Sequence, residues 1–168
     1  MPEIRQSNSY SCGAACLLSV LGYYDKFDGN EDELADQLNT TSKDGTKPEN
    51  IVKVARKYGL NAYIKENCSI QDLRNFFKKR IPVIIDYQAW TEKEKVDWEE
   101  DETDGHYSVL IGIDEKNIYF NDPSILGKKG FLPISEFLER WHDEGYERMC
   151  IVITGTGHKD KNKIIKIQ

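Results

Sequence analysis

From Cys12 to Tyr24 almost every position is apolar or small, the mark of a helix buried on all sides rather than one lying on a surface. Ser11 stands at its N-cap position. Four shorter stretches have helical spacing and readable ends. Asn30 with Glu33 resembles a capping box opening a helix over Glu31 to Leu38. Pro48 suits the first position of a helix that Gly59 closes. Ser69 with Asp72 starts another that runs to about Lys79, and Ser135 begins a last one through Trp141. Between and after them, Asn61 to Lys65, Pro82 to Tyr87, His106 to Ile113, Ile118 to Asn121 and Arg148 to Thr154 read as strands. Helices gather early and strands late, which predicts an α+β fold with an antiparallel sheet instead of alternating βαβ units.

Composition narrows the class. The 168 residues match one domain, and 39% hydrophobic content supports a core that needs neither disulfide nor metal to hold it. The longest apolar stretches, Ala14 to Leu21 and Ile81 to Ile85, fall well short of the ~20 residues of a membrane span. The N-terminus has no basic-then-apolar signal pattern, so a soluble cytoplasmic protein is expected. A net charge of −6 argues against a general nucleic-acid binder, which needs a basic face. That charge is local. Thr91 to Gly105 holds eight acidic residues and two lysines, −6 in itself, and the rest of the chain is balanced. The segment reads as a solvated loop, too polar to pack, anchored by Trp98 alone and ending at His106. A second reading makes it a lid that attracts basic substrates. The domain is expected to span residues 1–154. The basic tail 155–168 follows, where Ile164, Ile165 and Ile167 offer an edge strand.

Four cysteines stand at 12, 16, 68 and 150. They read as free thiols, because no second close pair answers Cys12 and Cys16 as a zinc site would require. Cys16 and Cys150 look like small core residues. Cys12 differs. At the start of a buried helix it feels unpaired N–H groups and the positive end of the helix dipole, which favour thiolate over thiol. Gly13 beside it would let a substrate backbone come close. A nucleophilic thiol needs a base. His142 ends a predicted surface helix and His158 lies in the tail, so His106, after Gly105 and at the start of a core strand, is the candidate. Asp122 closes the next strand, and adjacent antiparallel strands can set it beside His106 to orient the imidazole. Gln6 can offer an amide N–H to a developing oxyanion next to the Cys12 backbone N–H. Nothing in the pattern asks for a metal or other cofactor.

Gln6-x5-Cys12-Gly13-x-Ala15-Cys16-Leu17, then Gly105-His106-Tyr107-Ser108-Val109-Leu110, then Asn121-Asp122-Pro123, resembles the papain-like cysteine peptidases that process double-glycine bacteriocin leaders. The likeness spans roughly residues 4–154, and the chain is read as a stand-alone member. The resemblance implies a papain-like fold, with Cys12 as nucleophile, His106 as base and then acid, Asp122 as orienting carboxylate and Gln6 as oxyanion donor. It implies a peptide or protein substrate, with Gly13 and Gly105 near it. Two alternatives share the groove: an acyl transferase or amidase using the same thioester chemistry, and a non-catalytic peptide-binding module.

Overall fold

The computed structural model describes residues 1–125, 127 and 129–156; the tail's expected edge strand and His158 lie outside them. The long apolar run forms α1 (Cys12–Tyr23), buried along nearly its whole length. In α2 (Glu31–Gln37) the Asn30 side chain accepts from the Glu33 N–H at 3.0 Å. Pro48 opens α3 (Pro48–Lys57), and Gly59 follows it at φ +79°. β1 (Asn61–Lys65) leads to α4 (Ile70–Lys78), whose capping box is complete: Ser69 Oγ accepts from the Asp72 N–H at 3.0 Å, and Asp72 accepts from the Ser69 N–H at 2.8 Å. Then come β2 (Val83–Gln88), β3 (Gly105–Ile113), β4 (Asn117–Asn121), β5 (Gly130–Pro133), α5 (Ile134–Arg140), the short β6 (His142–Asp143) and β7 (Tyr146–Glu147), and β8 (Cys150–Thr154).

The six-stranded sheet runs β1-β8-β2-β3-β4-β5, antiparallel at every pairing, and β6 pairs with β7 apart from it. Alternate residues divide the core. Ile84, Val109, Ile151 and Ile153 pack with α1, α2 and α3, whereas Val83, Ile85, Phe120 and Val152 pack with Leu73, Phe137 and Trp141. β2 is therefore covered on both faces, which is why it reads as a continuous apolar run. Three strands escape the sequence pattern. β5 is four residues long with Phe131 61% exposed, and β6 and β7 have two residues each. His142, expected to end a helix, opens β6 instead.

One irregularity sets up the site. The β3–β4 register shifts by one residue between Leu110 and Gly112. Side chains alternate faces along a strand, so a one-residue shift moves every partner to the other face. With the shift, Val109 pairs with Asn121, and Asp122 at the end of β4 falls on the same face as His106. Without it the two would point to opposite sides of the sheet.

Candidate active site

α1 begins on Cys12, and the side chain of its N-cap residue does not cap it. The Ser11 hydroxyl instead closes a turn with Asn8, accepting its N–H and donating to its carbonyl, both at 3.4 Å. The amides of the first turn are left for the Cys12 sulfur and for anything negative beside it. Cys12 is 8% exposed, at the edge of the core.

β3 carries the buried His106 toward that sulfur. Its Nε2 lies 2.8 Å from Asp122 Oδ1, so the other ring nitrogen, Nδ1, meets the Cys12 thiol. Tyr87, opposite His106 in the β2–β3 register, sets its ring edge-on to the imidazole at 6.0 Å and stacks on Phe120 at 5.0 Å. Asp122 receives two further donors, the Ser124 N–H at 2.8 Å and the Trp90 indole N–H at 2.9 Å. Trp90 is 56% exposed and sits at φ +62°, an unusual backbone for a bulky residue. Its role has no sequence signature, because only a strained loop turn aims the indole at the carboxylate.

The electrostatics run in one direction. Burial opposes the Cys12 thiolate, but the hydrogen bond and charge of His106 outweigh it, aided by Tyr107 and the Gly13 N–H, and the thiol falls below its ordinary value. Burial likewise opposes a charged His106, yet the Asp122 and Cys12 hydrogen bonds and charges prevail and push it up to about 10. Asp122 stays below the usual carboxylate range, its burial offset by His106, Ser124 and Trp90. A thiolate held against an imidazolium is a nucleophile with its proton donor already in place.

The remaining expected residues are placed as follows. Gln6 is tied to the segment after β4 by its N–H on the Pro123 carbonyl at 2.9 Å. Its side-chain oxygen accepts from the Ser124 hydroxyl at 3.1 Å, and its amide nitrogen donates to the Asn8 carbonyl at 2.7 Å. The amide's second hydrogen is not used in that bond. Gly13 packs against Thr46 and Tyr107, two residues that line the groove. A Cβ there would lie 2.7 Å from Thr46 Cβ and 3.2 Å from the Tyr107 ring, so the glycine lets α1 pack close. Gly105 does line the groove. Cys16 is core, its thiol donating to the Tyr107 carbonyl at 3.3 Å, and burial pushes that thiol far up. Cys150 is fully buried, 2.9 Å from the sulfur of Cys68. Among the described residues no group of three His, Cys, Asp or Glu is arranged to hold a metal ion, and no helix is long and apolar enough to cross a membrane.

The acidic segment packs more than its polarity suggests. Trp98 is indeed an anchor, with the Arg140 guanidinium 3.6 Å above its ring and its carbonyl 2.8 Å from His142 Nε2. Lys93 clips the segment internally by ion pairs to Asp101 and, at 3.3 Å, to Asp104. Its C-terminal end is tied to the end of β2, through the Ala89 N–H to the Asp104 carbonyl and the Asp104 N–H to Gln88 Oε1. Glu102 and Thr103 thereby line a groove of roughly 930 Å³ that opens beside Cys12.

Known proteins share this architecture. An uncharacterized protein of Methanothermobacter thermautotrophicus is 30% identical over 122 residues, covering 73% of this chain and 71% of that protein. A double glycine motif protease from an AMS/PCAT transporter, solved in complex with its leader peptide, superposes with a TM-score of 0.64 at 27% identity, covering 92% of this chain and 91% of that one. The peptidase domain of Streptococcus ComA, a bifunctional ABC transporter, matches in fold with a TM-score of 0.67 at 19% identity, covering 91% and 97%. The family model described as Peptidase_C39 like matches residues 1–149. With that match over most of its length and a papain-like arrangement of α1 against the sheet, the chain belongs to the C39-like family of cysteine peptidases.

Proposed function

We propose that Cys12, His106 and Asp122 are the catalytic triad of a thiol hydrolase that cleaves peptide bonds, with Gln6 and the Cys12 N–H as oxyanion donors. The thiolate of Cys12 attacks the scissile carbonyl and forms a C–S bond. The oxyanion draws on the first-turn N–H groups of α1 and on the free hydrogen of the Gln6 amide. The imidazolium of His106 gives its proton to the leaving amine as the C–N bond breaks, leaving a thioester. A water then attacks the thioester, passing a proton to His106, and the Cys12 thiolate leaves. Asp122 keeps the ring in place and stabilises its charge throughout. The observation that carries this reading is the chain of contacts from a helix-terminal thiol through His106 to a carboxylate held by three donors. The solved relative that holds a leader peptide supports a peptide as the substrate class. The cytoplasm is the proposed setting, since its reductants keep Cys12 free.

Iodoacetamide at pH 7 tests the assignment. Cys12 is expected to be carbamidomethylated first, with Cys16, Cys68 and Cys150 protected by burial. A peptide library including Gly-Gly sequences is expected to be cleaved by the wild type and by Cys16→Ala, and not by Cys12→Ala. Equal labelling of all four thiols, or cleavage that survives Cys12→Ala, refutes the triad. Mass analysis with an added amine separates hydrolysis from transfer.

A further inference from the structure

The groove beside Cys12 holds a second pair of ionisable groups that the triad does not use. Asp86, in the middle of β2, is 4% exposed, and it lines the groove wall opposite Tyr107 in the strand register. Asp143 on β6 lines the same groove and sets a second carboxylate within hydrogen-bonding reach of it. Among the described residues no Lys or Arg forms an ion pair with either. A buried carboxylate beside a second one is costly unless the two share a proton or a positive guest, and the charge of His106 eases Asp86 less than burial and Asp143 oppose it. Burial and the Asp143 charge do hold the Asp86 acid well above the usual range.

The arrangement is built rather than incidental. Gln88 is fully buried, and its amide nitrogen donates to Asp143 Oδ1 at 3.0 Å and to the His142 carbonyl at 3.1 Å. The same side chain accepts from Asp104, so the acidic loop and the β6–β7 hairpin are fixed on one support. Gly105 makes room: a Cβ there would lie 2.8 Å from an Asp143 oxygen. The hairpin adds nothing to the main sheet, yet it delivers Asp143 next to the residue that precedes His106.

We propose that the Asp86–Asp143 pair receives a cationic side chain, lysine or arginine, of the peptide substrate at a position flanking the scissile bond. The proposal rests on the peptidase reading above and names what that site selects. A guanidinium or ammonium entering the groove replaces the shared proton, which leaves to solvent, and both carboxylates become its acceptors. Glu102, Glu144, Glu49 and Asp44 around the groove steer a basic peptide inward, against the exposed Lys43 and Lys47.

The test is a peptide series with arginine, lysine, citrulline or norleucine at each position from three residues before the cleaved bond to two after it, with free and acetylated N-termini. The ratio of kcat/KM for the basic peptide over its neutral counterpart is read in the wild type, Asp86→Asn and Asp143→Asn. The same peptides are titrated onto Cys12→Ala by fluorescence anisotropy. At one position the wild type is expected to prefer the basic residue at least tenfold, acetylated or not, and each Asp→Asn variant to bring the ratio within threefold of one. Should Asp86→Asn not fold, Asp143→Asn on the half-buried hairpin decides. No basic preference, a preference kept in both variants, or one abolished by acetylation overturns the proposal, as does tightening by Mg²⁺ or Ca²⁺ in place of the peptide's cation. Complete absence of turnover by the wild type marks failure of the peptidase reading, and the binding titration still decides this one.

Discussion

Replacing Asp122 with asparagine removes one charge and keeps the shape. The amide oxygen can take the place of Oδ1, where it still accepts from His106 and the Ser124 N–H. Its NH₂ then faces the Trp90 indole N–H, and that single hydrogen bond is lost. Opposite charges ~4 Å apart attract by about 4 kcal/mol at an effective dielectric of 20. The rise of His106 from 6.5 to about 10 corresponds to roughly 5 kcal/mol, shared between Asp122 and Cys12. With about half of it due to Asp122, His106 in Asp122→Asn titrates roughly two units lower. The alkaline limb of kcat/KM against pH, expected at about 10 in the wild type, moves down with it. At pH 7 the variant imidazole is still mostly protonated and kcat/KM falls little, whereas at pH 9 only about a tenth of it is protonated and kcat/KM falls about tenfold. Carbamidomethylation of Cys12 at pH 6 is not slowed, because His106 is still protonated there and keeps its counter-charge against the thiolate. The assay is a full pH profile of both rates for wild type and variant. An alkaline limb that stays at its wild-type position refutes the reasoning, since the charge of Asp122 would then contribute nothing to His106.

Trp90→Phe keeps a ring over Asp122 and deletes its indole donor. The exposure of Trp90 limits the loss to ~1 kcal/mol, read as a roughly fivefold fall in kcat with KM little changed. Deleting Ile111 takes out the extra residue between Leu110 and Gly112. The regular ladder that results keeps Leu110 opposite Phe120 and Val109 opposite Asn121, so Asp122 stays on the His106 face and the His106 titration followed by NMR stays near 10; a fall toward 6.5 would show that the bulge aims the pair by its local twist as well as by register. The contribution of His106 to stability is complete below about pH 6.5 and is lost as pH rises toward 10, whereas that of Cys12 is absent in acid and gained as pH rises toward 9.0. These slopes oppose each other in the wild type. Cys12→Ala leaves only the falling one, so the two Tm curves diverge between pH 7 and 9. Gly13→Ala forces a methyl against Thr46 and Tyr107 and lowers stability by about 1–3 kcal/mol in urea unfolding, beyond what alanine's helix propensity returns.

The sheet, the buried helix that starts on Cys12 and the strand that carries His106 were legible because each depends on local pattern. An all-apolar run, a capping residue, or a Gly-His at a strand start can be read within a few positions. The His106–Asp122 contact needed one thing more, a register, and the pattern of β3 and β4 offers no sign of the bulge that sets it. Trp90 and Asp143 were hidden for a different reason. Each sits in a segment whose course is set by tertiary contacts: a positive-φ turn for Trp90, and a hairpin of two-residue strands pinned by Gln88 for Asp143. Asp86 reads as a break in the apolar β2 run, but its meaning depends on what faces it. The acidic loop was expected to be too polar to pack, yet Lys93 and the Trp98–Arg140 stack order it, since ion pairs and a cation–π contact can do what apolar burial does not.

Cys12 and His106 lie 94 positions apart and on different layers, Cys12 on a helix and His106 on the sheet beneath it. The reactive state therefore exists only while α1 is docked on β3. If that interface opens, Cys12 returns to an ordinary thiol near 9.0 and His106 to an ordinary imidazole near 6.5, and at neutral pH neither attacks anything. Partly unfolded molecules are thus harmless to their neighbours. With the proposed triad, the chain disarms itself when damaged.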